Sequence, residues 1–350
     1  MAEADGIGDD RDVAPSVDAI LLVSFGGPEG REDVLPFLRN VTAGRGIPDE
    51  RLATVAHQYE LFGGVSPLNA SNRALKAALE AELAAHGPAL PVYWGNRNWD
   101  PYLRDAVAAM AADGVQHALA FVTSAFSSYS GCRQYREDLA GAQASVASGA
   151  PAIEKLRPYF DHPGFIEPMA ANVRVALSTL PAALRTTARL VFTAHSIPLS
   201  MASTSDYEVQ LREASRLVAE RVGGQEWDLV FQSRSGPPTQ PWLEPDIVDH
   251  LTALHGDVCD AVVVVPIGFT SDHLEVRFDL DTQAKARADE LGLPMARAAT
   301  VGTDPAFVTM IRELVSEVLD PEAPRRRLSD LPDPGWCSAT CCPPPPPRPA

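Results

Sequence analysis

Hydrophobic and polar positions along the chain alternate between patterns typical of strands and patterns typical of helices. In the first half, apolar runs at 18–24, 91–95 and 118–123 have the length expected of strands buried on both faces. Apolar residues recur at helical spacing in 71–86 and 101–113, and a glycine follows each of these segments. This part of the chain is therefore predicted to form strands that are joined by helices.

The second half of the chain repeats the pattern. Strand-like runs lie at 190–194, 229–232 and 261–265, and helical patterns lie at 206–222, 244–255, 272–291 and 305–319. Strands that alternate with helices indicate parallel sheets with right-handed crossovers and helices on both faces. We therefore predict an α/β fold of two similar doubly wound domains, at 15–155 and 156–325, with a Cys- and Pro-rich tail at 326–350.

The charge of the chain excludes several classes of protein. Its 350 residues carry 46 acidic and 29 basic side chains, a formal net charge of −17, and 45% of them are hydrophobic. This excess of negative charge argues against a nucleic acid or an anionic membrane surface as the main partner. No apolar run approaches the roughly 18 residues of a membrane span, and the acidic first residues are unlike a targeting leader. We therefore expect a cytoplasmic protein with no membrane-spanning segment.

Polar residues with catalytic potential follow the predicted strands directly. Doubly wound folds bind ligands outside the carboxyl ends of their strands. His195 stands at such a position after 190–194, where a single histidine is more often structural than catalytic. The pair Gly26 and Gly27 follows the first strand, with neither the spacing of a dinucleotide-binding loop nor the lysine of a P-loop. A nicotinamide or ATP site is therefore not indicated.

Acidic side chains follow the strand-like run at 261–265. Glu275 and Asp279 are four residues apart, a spacing that places them on one face of a helix. Such a group is typical either of a solvated helix face or of a site for a hard or borderline divalent cation. Its position at the carboxyl end of a strand favours the cation site.

The five cysteines are Cys132, Cys259, Cys337, Cys341 and Cys342. Their number and spacing do not fit a secreted disulfide framework. Cys259 precedes an apolar strand and is interpreted as a small buried side chain. The three cysteines of the tail lie within six residues, and we interpret them as ligands for a soft metal centre. Five consecutive prolines follow at 343–347 and predict an exposed polyproline end.

The chain resembles the ferrochelatases, which insert ferrous iron into a porphyrin, in six segments spread over residues 18–320. These are LLVSFGGPE, NVTAGRGIP, YELFGGVSPLN, TAHSIP, FQSRSGPPTQPWLEPD and VPIGFTSDHLEVRFDLD. The histidine segment alone would be a weak signal, but the segments in this order are highly specific. The form that the chain resembles most is the actinobacterial coproporphyrin III ferrochelatase. The resemblance implies two Rossmann-like domains of the chelatase type, with the active-site cleft between them.

The resemblance also implies the catalytic residues. The essential histidine of the family falls on His195 and its essential glutamate on Glu275, so these two residues would bind the ferrous iron substrate and accept the pyrrole protons. Asp279 would extend this pair as a relay for iron or protons. The sequence leaves open which of the pair binds iron first and which accepts protons.

Contacts with the porphyrin are predicted on the same grounds. Firmicute members carry an axial tyrosine where this chain has Phe25, which cannot ligate iron, and the resemblance to the actinobacterial form assigns that place to Tyr129. Charge-assisted hydrogen bonds select carboxylates. The residues expected to bind the porphyrin, chiefly at its propionates, are Arg45, Ser66, Ser127, Tyr129 and Ser130.

Some ferrochelatases hold a [2Fe–2S] cluster with one internal and three C-terminal cysteines. The resemblance therefore implies a [2Fe–2S] cluster here, with the ligands Cys132, Cys337, Cys341 and Cys342. Because Cys341 and Cys342 are adjacent, they must splay apart to reach one cluster. Zinc on the four thiolates is the main alternative, and a disulfide between tail cysteines is a further one.

The predicted activity is insertion of ferrous iron into coproporphyrin III, giving Fe-coproporphyrin III in haem biosynthesis. The alternatives are a protoporphyrin IX ferrochelatase, a carrier that binds haem or iron without turnover, and a cobalt-inserting chelatase. The last is less favoured, because such enzymes are usually richer in histidine at the metal. We expect a monomer whose partners are the porphyrin and iron.

Overall fold

The computed structural model of the chain describes residues 16–44, 46–146, 148–236, 239–256, 259–332 and 340–345. Within these residues the strands are β1 (Ala19–Ser24), β2 (Val92–Asn96), β3 (His117–Val122), β4 (Ala152–Lys155), β5 (Arg189–His195), β6 (Trp227–Gln232), β7 (Val262–Val265) and β8 (Met295–Arg297). The α-helices are α1 (Arg31–Val41), α2 (Asp49–Glu60), α3 (Leu68–His86), α4 (Leu103–Ala112), α5 (Gln134–Ser145), α6 (Pro163–Thr179), α7 (Leu199–Ala202), α8 (Tyr207–Val222), α9 (Ile247–Gly256), α10 (Leu274–Val276), α11 (Lys285–Leu291) and α12 (Pro305–Leu319). Two π-helical segments occur at Tyr129–Arg133 and Arg277–Ala284, and a short 3-10 helix occurs at Ala182–Leu184.

The strands form two separate parallel sheets, in the orders β2-β1-β3-β4 and β6-β5-β7-β8. Each sheet begins at an inner strand, moves to the nearer edge, and then returns across the first strand to build the other side. The second sheet therefore repeats the strand order of the first. This architecture confirms the predicted α/β fold with two doubly wound halves.

The inner strands are as apolar as their burial requires. Every residue from 19 to 23 in β1 is fully buried, and so are the four valines of β7. Helices cover both faces of each sheet, so these strands carry continuous apolar runs instead of alternating ones. Because these apolar runs are continuous, the sequence pattern could predict the inner strands.

The two sheets share one hydrophobic core. The core combines inward side chains of β1 and β3 with those of β5 and β7, and α3, α6, α8 and α12 fill the space between them. An aromatic group lies in this core, where Phe121 of β3 stacks on Tyr159 at 5.1 Å and Phe165 packs edge-on against the same tyrosine. The two halves are therefore packed tightly together.

The prediction of one continuous helix over 272–291 is wrong. The chain instead forms the single turn α10, the π-helical segment Arg277–Ala284 and then α11. Val276, Leu280 and Ala284 stay buried at a spacing of four, while the wider turn directs Asp279 toward side chains at the end of β6. Such π-helical turns are rare and concentrate at functional sites.

Several elements were not apparent from the sequence pattern. These are α1, α2, α5, α6, the single-turn helix α7 and the short edge strands β4 and β8. No helix in the described ranges has the length and hydropathy needed to cross a bilayer. The domain limits 15–155, 156–325 and 326–350 stay a prediction.

Candidate active site

His195 and Glu275 lie next to each other at the carboxyl edge of the second sheet. His195 is the last residue of β5, and Glu275 lies in α10, which follows the neighbouring parallel strand β7. The carboxyl ends of parallel neighbours meet at one edge, and here the Nε2 atom of His195 lies 4.0 Å from Oε2 of Glu275. Both side chains are partly exposed, at 33% and 50%. The structure therefore brings together the two residues on which the predicted chemistry depends.

The hydrogen bonding of His195 defines which ring nitrogen carries the proton. Its Nδ1 atom lies 2.6 Å from the carbonyl oxygen of Ser196. A carbonyl oxygen can only accept, so Nδ1 is the protonated nitrogen of the neutral ring. Nε2 then presents a lone pair on the side of Glu275, which is suited to accepting a proton or binding a metal.

Asp279 lies in the π-helical segment, close enough to His195 and Glu275 for their charges to act on it. It accepts hydrogen bonds from the Ser233 hydroxyl and from Nε2 of Gln232, the latter at 3.2 Å. Burial raises the pKa of Asp279 to about 6, against the lowering effect of the Ser233 hydrogen bond. This carboxyl group can therefore gain or lose a proton near neutral pH.

Two other carboxylates near Asp279 form ion pairs with an arginine of the same half. Asp272 and Asp281 both bind Arg297 of β8, at 2.8 and 2.6 Å. His273 caps α10 by accepting from the backbone N–H of Val276, and burial lowers the pKa of its ring. Among the residues that the structure describes, no three His, Cys, Asp or Glu side chains are grouped closely enough to hold a metal ion.

A residue of the first half lies close enough to Glu275 to feel its charge. Tyr59 of α2 is buried, and burial and the charge of Glu275 both raise the pKa of its hydroxyl above the usual value. It belongs to a cluster of buried residues that also includes Phe37 of α1 and Leu274 of α10. The site is therefore formed where the two halves meet, and sequence reasoning missed Tyr59 because a tyrosine in a helix gives no local signal of such a contact.

Ser66 lies against the turn that follows β1. It is buried, and a Cβ atom on Gly27 would come within 2.6 Å of the Cβ of Ser66. Gly26, with a φ of 84°, supplies the other half of this tight turn. The glycine pair thus permits the close approach of Ser66. Arg45, another predicted porphyrin contact, lies outside the described residues.

The loop that carries Ser127, Tyr129 and Ser130 is fixed by both halves. The backbone N–H of Ser127 donates to Oε1 of Gln210 at 2.7 Å, and Nε2 of Gln210 donates back to the Ser127 hydroxyl at 3.0 Å. The Tyr129 hydroxyl donates to Glu137 at 3.0 Å, and the Ser130 hydroxyl contacts the sulfur of Met201 at 3.8 Å. The Ser130 hydroxyl also lies 3.4 Å from that of Ser128, so its contacts are the longest of the three hydroxyls.

Large apolar side chains are exposed in segments near these residues. Phe25 after β1 is 37% exposed, Leu61 and Val65 after α2 are 57% and 42% exposed, and Leu199 after β5 is 44% exposed. Each lies within four residues in sequence of a residue described above. Apolar surface of this kind is suited to the faces of a flat, apolar macrocycle.

Three predicted cluster ligands, Cys132, Cys341 and Cys342, lie among the described residues, but they are not grouped closely enough to hold a metal ion as they stand. Cys132 of the π-helical turn and Cys342 of the tail are both buried, and burial together with the nearby sulfurs of Cys132 and Cys341 raises the pKa of the Cys342 thiol to about 12. Arg136 lies 3.4 Å from the Cys341 sulfur. Cys337 lies outside the described residues.

Cys259 is separate from these residues. It is half-buried beside β7, where its thiol donates to the carbonyl oxygen of Ala261 at 3.4 Å. It lines a cavity of about 610 Å³ with Arg189, Asp228 and His250, at the amino ends of the second sheet's strands. Parallel sheets bind ligands at the opposite edge, and none of the predicted site residues lines this cavity.

Comparisons with known proteins identify the family of the chain. The family model described as Ferrochelatase matches residues 17–319. A relative named coproporphyrin III ferrochelatase from Frankia alni is 59% identical, over 94% of this chain and 87% of its own length. A second with this name, from Nocardia farcinica, is 54% identical over 93% of this chain and 97% of its own length.

A solved structure has the same fold. The sirohydrochlorin chelatase of Bacillus subtilis subspecies spizizenii, in complex with cobalt, aligns with a TM-score of 0.51 at 13% identity. The alignment covers 90% of this chain and all of the other. With the family model matching most of its length and relatives more than half identical, the chain belongs to the ferrochelatase family.

Proposed function

We propose that this chain inserts ferrous iron into coproporphyrin III to give Fe-coproporphyrin III, a step of haem biosynthesis. The relatives from Frankia alni and Nocardia farcinica carry the name of this activity at 59% and 54% identity. The observation that carries the proposal is the distance of 4.0 Å between Nε2 of His195 and Oε2 of Glu275. A cytoplasmic location and a monomeric state stay predictions.

Insertion requires that iron lose its water ligands and that the ring lose two pyrrole protons. The lone pair on Nε2 of His195 can accept a proton, since a neutral imidazole is the commonest general base in enzymes. Glu275 is half-exposed beside it, so it can hold iron or receive a proton. Asp279, with its pKa raised to about 6, can take up a proton that arrives through Glu275 and release it.

The porphyrin would lie with its faces on apolar side chains and its propionates on polar ones. Phe25 and Leu199 supply exposed apolar surface in segments after β1 and β5. Ser130 is the better candidate for a propionate contact than Ser127, whose hydroxyl is buried and bound to Gln210. Tyr129 would have to give up its hydrogen bond to Glu137 to approach the metal.

We further propose that Cys132, Cys337, Cys341 and Cys342 hold a [2Fe–2S] cluster. What supports this proposal is that the thiols of Cys132 and Cys341 act electrostatically on that of Cys342 and that thiolates are the usual ligands of such a cluster, although the three would have to move closer together to hold it. Arg136 beside the Cys341 sulfur would stabilise a thiolate there. Zinc bound by the same four thiolates is the alternative.

The substrate is tested by comparing insertion of ferrous iron into coproporphyrin III and protoporphyrin IX under anaerobic conditions. Loss of free-base porphyrin fluorescence gives kcat/KM for each substrate. We expect coproporphyrin III to be preferred at least about tenfold, because two additional propionates supply further charge-assisted hydrogen bonds. Equal or reversed preference would contradict coproporphyrin as the substrate, and no insertion into either porphyrin would contradict the activity itself.

A further inference from the structure

Tyr207 is a buried residue in the first turn of α8, directly behind the active-site histidine. Its hydroxyl oxygen lies 3.0 Å from the main-chain carbonyl oxygen of His195, to which it donates a hydrogen bond. We propose that Tyr207 is a positioning residue for His195 in metal insertion, an inference that rests on the function proposed above. It touches neither of the expected substrates and acts through the backbone of His195.

The peptide unit between His195 and Ser196 is held from both sides. Tyr207 binds its carbonyl oxygen, and its N–H, which belongs to Ser196, donates to the carbonyl oxygen of Gln232 at 2.8 Å. The Ser196 hydroxyl is also bound, to the carbonyl oxygen of Leu243 at 2.8 Å. The carbonyl oxygen of Ser196, which belongs to the next peptide unit, lies 2.6 Å from Nδ1 of His195, so these bonds hold the stretch of backbone on which the ring contact depends.

Tyr207 is itself anchored to the first half of the chain. Its ring packs edge-on against Phe126 at 6.3 Å, just before the loop that carries the predicted porphyrin contacts. Gln210, one turn further along α8, binds Ser127 of the same loop. Burial raises the pKa of the Tyr207 hydroxyl above its usual range, so this group remains a donor throughout any practical assay.

This arrangement defines the orientation of the His195 ring. Its Nδ1–H donates to the carbonyl oxygen of Ser196, so Nε2 carries the lone pair on the side of Glu275. Removing the Tyr207 hydroxyl takes away one of the hydrogen bonds that hold the 195–196 peptide. The ring is then held less precisely, and Nε2 is presented less precisely to the reacting groups.

Tyr207→Phe tests the inference because it removes the hydroxyl and keeps the ring. We expect kcat for iron insertion to fall about tenfold, within the range of general-base effects, with the porphyrin KM changed less than about twofold. In nitrogen-15 NMR of the folded variant, the Nδ1 proton of His195 should exchange with solvent faster than in the wild type, because the ring is held less firmly against Ser196.

Tyr159→Phe is the matched control. Tyr159 is also buried, and its hydroxyl also donates to the carbonyl of a residue at the end of a strand, Val122 of β3, at 3.1 Å. This variant should lose comparable stability and keep the wild-type kcat and the slow exchange of the His195 Nδ1 proton. If Tyr207→Phe behaves like Tyr159→Phe, the positioning role is wrong and Tyr207 is structural only.

A direct measurement on the wild-type chain keeps the inference testable if Tyr207→Phe does not fold. Nitrogen-15 NMR of the histidine side chains, assigned with His195→Ala, should show a slowly exchanging Nδ1 proton at His195. An Nε2 proton at His195 instead would overturn the inference. Failure of the wild-type enzyme to insert iron would contradict the proposed function and leave this NMR result unaffected, so the two failures are distinguishable.

Discussion

At the scale of single residues, two carboxyl groups one turn apart have very different surroundings. Glu275 is half-exposed beside His195, whereas Asp279 accepts hydrogen bonds from Ser233 and Gln232 and has its pKa raised to about 6 by burial. Groups whose environments separate their pKa values are typical of sites that move protons. The two carboxyls are therefore suited to different roles, Glu275 at the substrate and Asp279 behind it.

The raised pKa of Asp279 predicts a pH dependence of stability. The folded chain holds this proton up to about pH 6, and the unfolded chain only up to about 3.8, so the free energy of unfolding falls as the pH rises between these values. Relative to Asp279→Asn, the wild type should lose on the order of 1 kcal/mol across this window. Urea denaturation at pH 4, 5, 6 and 7 measures the difference.

Asp289→Asn provides the control for this measurement. Asp289 is exposed on α11, where it pairs with Lys285. Its substitution should leave the pH dependence of stability close to that of the wild type. A wild-type curve parallel to that of Asp279→Asn would show that Asp279 does not titrate in this window.

At the scale of elements, Gln210 of α8 holds the loop that follows β3 and leads into the π-helical segment Tyr129–Arg133. This glutamine is buried and makes both of its hydrogen bonds to Ser127. Gly131, where a Cβ atom would lie 2.8 Å from the Ser124 hydroxyl oxygen, allows the loop to close on itself. The position of the predicted porphyrin contacts in the first half therefore depends on a helix of the second.

Gln210→Ala should destabilise the protein by about 1–3 kcal/mol, because it leaves the buried N–H of Ser127 without a partner. Porphyrin binding, followed by fluorescence quenching, should weaken at the same time, since the loop loses its attachment. Gln116→Ala, at an exposed position before β3, is the control and should change neither quantity. Unchanged porphyrin affinity in Gln210→Ala would contradict a role for this loop in binding.

The strands and the site residues differ in how well the sequence predicts them. The valines of β7 form an apolar run that has few alternatives to a buried strand, and His195 and Glu275 stand directly after β5 and β7, where parallel folds place their ligands. The π-helical segment Arg277–Ala284 was predicted as ordinary helix, because its register depends on a contact between Asp279 and the distant Gln232. Tyr59 and Tyr207 were not predicted for the same reason, because their partners are distant in the sequence.

At the scale of the whole molecule, the segment after α12 packs against the connection between the two halves and then reaches the first half. Arg327 binds the buried Asp161 between β4 and α6 at 2.8 Å, and the backbone N–H of Leu328 donates to the carbonyl oxygen of the same residue at 3.0 Å. Further on, the guanidinium of Arg133 in the first half donates to the carbonyl oxygen of Cys341 at 3.3 Å. The tail thus contacts the first half through the segment that contains Cys132.

The cysteine site makes a prediction that does not involve catalysis. Anaerobically purified protein should be brown, with visible absorption and about two iron atoms per chain, and Cys341→Ser should be colourless because four thiolates are needed. Cys259→Ser is the matched control and should keep the colour, since Cys259 lies beside β7 and apart from the other cysteines. Colourless wild-type protein with one zinc ion per chain would contradict the cluster.

The most direct test of the whole account is the loss of iron insertion in His195→Ala and Glu275→Gln. Both variants should bind coproporphyrin III and unfold near the wild-type temperature, while kcat falls at least about a hundredfold, since general acid–base groups contribute on that scale. His57→Ala and Glu290→Gln, which replace exposed residues in surface ion pairs, should retain full activity. Near wild-type turnover in either His195→Ala or Glu275→Gln would contradict the assignment of that residue to the chemistry.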